Sequence, residues 1–188
     1  QVTGHPMIDV RFFAPPADLA PCFTTFYRFE VTVPQGDHLE DWLQPEWANL
    51  RFFSDNPPAA ELPDGPRIAG ARFQATGPSS CPIHFELGRT RMWGIGLFPL
   101  GWARFIGEDA SDHANTLVDG EASPLFERFA PLCDMLCSRD HSDEEQFDAL
   151  TDFFRRLAGP PADQQRIQKV HEVMVDPQLL QVEDFAHR

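Results

Sequence analysis

Positive charge is what this chain has least of. Fifteen Lys and Arg stand against 29 Asp and Glu, a formal charge of −14 over 188 residues. Lysine occurs once, at Lys169, and the other basic residues are all Arg, which reads as compositional bias rather than phosphate recognition. A duplex is itself densely negative, so a body this acidic is repelled by it and does not bind DNA on its own. Long apolar runs are missing too. The most apolar stretch, Trp93 to Ala103, carries three Gly and a Pro and is too short to span a bilayer. No basic segment leading into an apolar one follows Met7, so no secretory signal is read, and the six residues before Met7 are taken as a vector remnant. The expected location is the cytoplasm, away from any membrane, with the four Cys as reduced thiols. There is no Gly-x-Ser-x-Gly nucleophile turn and no Gly-x-Gly-x-x-Gly phosphate loop. Cys133, Cys137 and His141 recur at four-residue spacing, but three such positions on one helix are more often small buried residues than a metal face. No catalytic residue, metal or cofactor is assigned, and the expectation is a protein that is not an enzyme.

Aromatics and prolines are present in quantity. Seventeen Phe and four Trp are ample for one core, and the length suits a main domain with a small helical appendage. The 18 prolines are about double the usual ~5%, and most lie in the first two-thirds. There they punctuate short apolar stretches: Cys22 to Val33, Trp47 to Phe53, Arg67 to Gln74, Pro82 to Leu87 and Met92 to Phe98. Turn clusters such as Pro34-Gln35-Gly36-Asp37 and Pro63-Asp64-Gly65-Pro66 separate them. Short strands with this punctuation predict an antiparallel sandwich or small barrel. Along Phe23 to Val31, Phe23, Phe29 and Val31 share one face and Phe26 the other, so this strand is expected to be covered on both sides. Gly94 and Gly96 lie inside an apolar strand, where glycine more often marks a bend or close packing than a ligand loop.

After Asp119 the period changes. Ser123-Pro124 is a helix start, a capping residue followed by proline at the first helical position. Leu125, Phe129, Leu132 and Leu136, with Phe126, Ala130, Cys133 and Cys137 one residue on, form a broad apolar stripe. Ser142 with Glu145 three residues later is a capping box, opening a helix whose buried face is read as Phe147, Leu150, Phe154 and Leu157. The short turn Arg139-Asp140-His141 makes the pair an antiparallel hairpin. Gly159 to Gln165 is read as a linker.

In the last segment, Arg166 to Arg188, Ile167, Val170, Val173 and Met174 recur at amphipathic helical spacing. Asp176-Pro177 breaks that helix, and a second apolar pattern starts at Leu179, Leu180, Val182, Phe185 and Ala186. This order resembles the opening of the DNA-binding domain of AraC/XylS-type transcription regulators. Leu19 to Arg28 looks like the first strand of one sensor branch of that family, and Trp93 to Trp102 is similar to its strand with a Pro-x-Gly turn. Where the family usually caps the second helix with Ser or Thr, this chain has Gln181, a poor N-cap.

The resemblance implies an α+β chain: a cupin-like antiparallel β-barrel or sandwich over 7–120, a dimerising helical hairpin over 121–158, the linker 159–165, and over 166–188 a helical stub that opens a helix-turn-helix domain. It implies regulation of transcription, with promoter DNA bound through the missing C-terminal domain, a small-molecule effector in the β-domain, and a homodimer. Metal-dependent cupins carry a His-x-His pair, which is absent here; His84 and Glu86 share one strand face without it. Trp42, Trp47, Phe52, Arg91, Trp93, Phe98 and Trp102 are the candidate lining of an aromatic effector pocket, although packing in the core or between subunits explains any one Trp at least as well. Arg89 or Arg91 could hold an acidic effector. Phe126, Phe129, Cys133, Leu136, Phe147 and Phe154 are the candidate dimer face. The alternative reading is a stand-alone small-molecule-binding or enzymatic cupin with a helical tail.

Overall fold

The computed structural model describes residues 6–158. Ten strands are formed: β1 (Met7–Phe13), β2 (Phe23–Thr32), β3 (Leu39–Leu43), β4 (Asn49–Phe53), β5 (Ala59–Glu61), β6 (Arg67–Ile68), β7 (Phe73–Thr76), β8 (Ile83–Leu87), β9 (Thr90–Leu97) and β10 (Leu117–Asp119). Three α-helices accompany them: α1 (Pro99–Phe105), α2 (Cys133–Leu136) and α3 (Asp143–Ala158). The strands make a six-stranded sheet in the order β1-β2-β9-β4-β7-β10 and a four-stranded sheet in the order β3-β8-β5-β6. Every pairing is antiparallel. The expected α+β class with antiparallel sheets is therefore observed. Among the described residues neither sheet closes on itself, so the architecture is two open sheets rather than a closed barrel.

The two sheets lie face to face. Val31 and Val33 of the larger sheet's side pack with Leu87 of β8, and Leu117 of β10 packs with Ala60 and Ile83. The other face of the six-stranded sheet is covered by helices. Phe26, Leu50, Phe52, Phe73, Ala75, Trp93 and Ile95 form one buried cluster with Trp102, Phe105, Phe126, Phe129, Leu136, Leu150 and Phe154. Sheet, sheet and helices thus make three layers, and the central sheet is covered on both sides. All eight residues of β9 and all five of β4 are buried, polar Asn49, Arg51, Thr90 and Arg91 among them, so both faces of these strands are covered.

Several segments differ from the sequence expectation for identifiable reasons. The stretch Arg67 to Gln74 is two strands, β6 and β7, because Gly70 between them takes a positive φ of 76°. The strand through Trp93 stops at Leu97, since Phe98 caps α1 in extended conformation and Pro99 supplies a ready helical φ. Phe23 does not share a face with Phe29, because the β2–β9 register shifts between Phe23 and Thr25, a bulge that turns its side chain over. It packs instead with Phe26, Phe105 and Phe154.

Of the two arms expected for a helical hairpin, only the second is a regular α-helix. The first arm is a 3₁₀ segment, Glu127–Leu132, running into the single turn α2. Pro131 inside that segment has no N–H to give an α-helical ladder. The second arm is the 16-residue α3. Its capping box is formed: the Ser142 N–H donates to Glu145 Oε2 at 2.8 Å, and the Glu145 N–H donates to Ser142 Oγ at 3.2 Å. Gln146, Leu150, Thr151 and Phe154 are its buried residues, and Leu157 is 38% exposed. The linker 159–165 and the stub 166–188 lie outside the described residues, as do residues 1–5.

Candidate functional site

Between the two sheets is a cavity of about 170 Å³. Its roof comes from the smaller sheet, with Leu43, Ala60, Ile83, Phe85 and Leu87, and is wholly apolar. Its floor is the inner face of the larger sheet and contains one polar row. Tyr27 of β2 pairs with Gly94 of β9, Gly94 with Arg51 of β4, and Arg51 with Gln74 of β7. Gly94 allows this row to exist. A Cβ added there would meet the phenol ring of Tyr27, so the ring lies across the glycine toward Arg51. Phe29, Met92 and Phe53 form the adjoining apolar row, paired in the same order. Replacing Gly94 by Ala is expected to cost about 1–3 kcal/mol by overpacking, read as a lower urea midpoint. Glycine inside a strand is otherwise weakening, so an unchanged or raised midpoint would show that Tyr27 does not occupy that space.

Arg51 is the charged group of the floor and is 6% exposed. Its Nη2 donates to Glu46 Oε1, and Glu46 also accepts from Asn49 Nδ2 at 3.1 Å. Burial works against the guanidinium charge, but Tyr27 and Glu46 outweigh it and hold its pKa above the ordinary value. The Nε of Arg51 is buried with no partner.

A second polar centre lies on the opposite face of the same sheet, under the N-terminus of α3. The Asp143 carboxylate accepts from Arg91 Nη2 at 2.7 Å, from Arg28 Nε at 3.2 Å and from Arg11 Nη1 at 3.2 Å. Arg28 also pairs with Asp9 at 2.6 Å. Burial pushes the Asp143 carboxyl up, but Arg91 and Arg28 outweigh it and hold it below its ordinary range. Gln146 is fully buried. Its Oε1 accepts from Arg91 Nη2 and from Trp93 Nε1, both at 2.8 Å, while its Nε2 donates to the carbonyls of Met135 and Ser138.

None of the seven residues expected to line a pocket borders the cavity between the sheets. Trp93 is fully buried on the helix side, against the Phe13 ring at 5.0 Å. Phe52 stacks on Phe73 at 4.4 Å in the same layer. Arg91 is committed to Asp143 and Gln146. Trp102 donates to the Glu108 carbonyl at 2.7 Å from α1, and Phe98 is the half-buried cap of that helix. Trp42 and Trp47 are about half exposed, at 50% and 51%. Trp42 lies against His84, and Trp47 borders a shallow surface depression with Pro45 and Pro78. The cavity takes the next residue along instead, Met92 rather than Trp93 and Phe53 rather than Phe52. A one-residue step moves a strand residue to the opposite face, and a strand buried on both faces carries no alternation to say which face is which.

The expected dimer face is likewise internal. Phe126, Phe129, Leu136 and Phe154 are fully buried and Cys133 nearly so, while Phe147 stacks on Phe13 at 5.1 Å. The helical stripe is consumed in covering the sheet of its own chain. His84 and Glu86 point away from the cavity, with His84 between Glu40 and Glu61 at 3.8 and 3.7 Å. The Cys137 thiol donates to the Arg72 carbonyl at 3.5 Å; the neighbouring Cys137 and burial push the Cys133 thiol up, while Cys133 holds that of Cys137 down. Among the described residues no three His, Cys, Asp or Glu side chains are grouped to hold a metal, and no helix is long and apolar enough to cross a membrane. Sequence reasoning missed Arg51, Gln74 and Gln146. For Gln146 a signal exists, since it stands four residues before Leu150 and eight before Phe154, on the same helical stripe. Compared with family models, with curated proteins and with solved structures, the chain matches none.

Proposed function

We propose that residues 7–158 are the effector-sensing and dimerising part of an AraC-type transcription regulator, with the paired sheets as a cupin-like sensor. Promoter DNA is then bound by the helix-turn-helix region that opens at Arg166. The observation that carries the reading is the double use of β4 and β9. One face of these strands lines the cavity with Arg51, Phe53 and Met92. The other face holds the helical layer through Arg91 and Trp93. A ligand that fills the cavity loads the same backbone that anchors α3, which is the geometry a sensor needs to relay occupancy. The motif resemblance of the C-terminal segment supplies the DNA-binding half of the proposal.

The test is a nuclease footprint of the full reading frame's product on the DNA upstream of its own gene. The expected result is protection of paired half-sites about one or two helical turns apart. The chain Gln1–Arg188, at −14, is expected to protect nothing at low salt. Protection by that chain alone, or none by the full product, overturns the assignment.

A further inference from the structure

We infer that the cavity between the sheets takes a neutral, single-ring molecule that presents one hydrogen-bond acceptor to Arg51. This rests on the reading of the cavity as an effector site and adds the chemistry of what fills it.

Size comes first. A cavity of about 170 Å³ is close to the ~150 Å³ apolar cavity that holds benzene, so one ring with a short substituent fills it. The walls from Phe29, Leu43, Phe53, Phe85, Leu87 and Met92 suit an apolar body.

The polar floor then sets the functional group. Gln74 Nε2 is already spent on the carbonyls of Pro58 and Ala71, at 2.8 and 3.3 Å. Thr76 Oγ1 donates to the Asn49 carbonyl at 3.4 Å. Arg51 Nη2 is held by Glu46. The Tyr27 hydroxyl faces the same guanidinium, and Arg51 Nε is the one buried polar side-chain atom without a partner among the described lining residues. A buried N–H without an acceptor is unfavourable, and a ligand oxygen satisfies it.

Charge decides which oxygen. The guanidinium of Arg51 is already compensated by the Glu46 carboxylate. A carboxylate ligand would add a second negative charge to a site with one positive, between mostly apolar walls where an uncompensated charge is unfavourable. A ketone, ester or ether oxygen accepts the bond without that penalty.

Three probes of nearly equal shape separate these requirements: acetophenone with a neutral acceptor, ethylbenzene with none, and benzoate with a charged one. Each is titrated into the isotope-labelled chain. The methyl signals of Leu43, Ile83, Leu87 and Met92 report cavity occupancy, and the Arg51 Nε–H signal reports the hydrogen bond. Acetophenone is expected to bind about tenfold more tightly than ethylbenzene, to bind more tightly than benzoate, and to move the Nε–H signal downfield. In Arg51→Met, which keeps an apolar stem, the advantage of acetophenone over ethylbenzene is expected to vanish. The wild-type Nε–H shift decides the matter if that variant fails to fold. Equal binding of acetophenone and ethylbenzene overturns the acceptor requirement and leaves the cavity a ligand site. Tightest binding by benzoate overturns the neutral class. If none of the three moves the cavity methyls, the inference and the sensor reading fall together.

Discussion

Replacing Phe154 by Ala is expected to remove about 3–5 kcal/mol of stability, roughly a fifth or more of the ~5–15 kcal/mol that a domain commonly has. Phe154 is fully buried. Its ring meets those of Phe23 at 4.7 Å, Phe105 at 5.0 Å, Phe153 at 5.5 Å and Phe129 at 5.9 Å. These partners come from β2, α1, α3 itself and the 3₁₀ arm, so the side chain ties the helical layer to the sheet and to itself. Truncation leaves a void bordered by rigid rings, which cannot collapse easily. Urea unfolding followed by fluorescence, with sedimentation on the same samples, checks this. The expected outcome is a large drop in midpoint with the oligomeric state of the folded fraction unchanged. If the variant instead dissociates while its midpoint holds, Phe154 is at a subunit interface and the packing described above is wrong.

The second large effect is expected at Asp143. In Asp143→Asn, Arg28 and Arg91 lose the negative charge that compensates them while staying buried, at 9% and 6% exposure. Breaking a buried pair by removing one partner costs about 3–5 kcal/mol. Asp9 and Glu30, which also face Arg28, recover part of this, so about 3 kcal/mol is the expected loss at neutral pH. The pH dependence has a definite sign. Burial opposes the charge, Arg91 and Arg28 outweigh it, and the folded pKa lies below the ordinary 3.8. The stabilisation is therefore complete above 3.8 and is lost as pH falls through the lowered folded value. The gap between wild type and variant should be widest near neutrality and should close in acid, where wild-type Asp143 becomes protonated. A gap that stays constant down to strong acid would show that the charge of Asp143 is not what holds the Arg pair.

Much of the local structure was legible in the chain. The cluster Pro34 to Asp37 marks the end of β2, and Pro63 to Pro66 the turn between β5 and β6, because proline and glycine restrict or permit particular φ values whatever surrounds them. Ser142 and Glu145 announced the start of α3 because a capping box closes within one turn of chain. Phe26 and Phe29, on opposite faces of β2, correctly indicated a strand covered on both sides. The first helical arm was misjudged because its apolar spacing is helical while Pro131 sits within it, and the pattern outweighed the breaker. Strand β1 escaped notice because six of its seven residues are exposed, so no buried face imposes a period on it.

What the sequence determined by itself was therefore everything set over a few residues: turns, caps, the strand-rich first part and the helical second part, together with the net acidity of the chain. What only tertiary structure decided was the side of each strand that meets the cavity. Trp93 is the larger and more conspicuous residue of its pair, yet it and Phe52 belong to the helix side. Met92, Phe53 and Arg51 belong to the cavity. Both faces of β4 and β9 are buried, so burial alone does not distinguish the two. The choice was made by the two layers that pack on the strands, the β3–β8–β5 sheet above and the aromatic cluster of α1 and α3 below. Arg51 shows the same limit. An arginine in a short apolar strand reads as a solvated residue until Glu46, five positions earlier, is seen to fold back and compensate its charge.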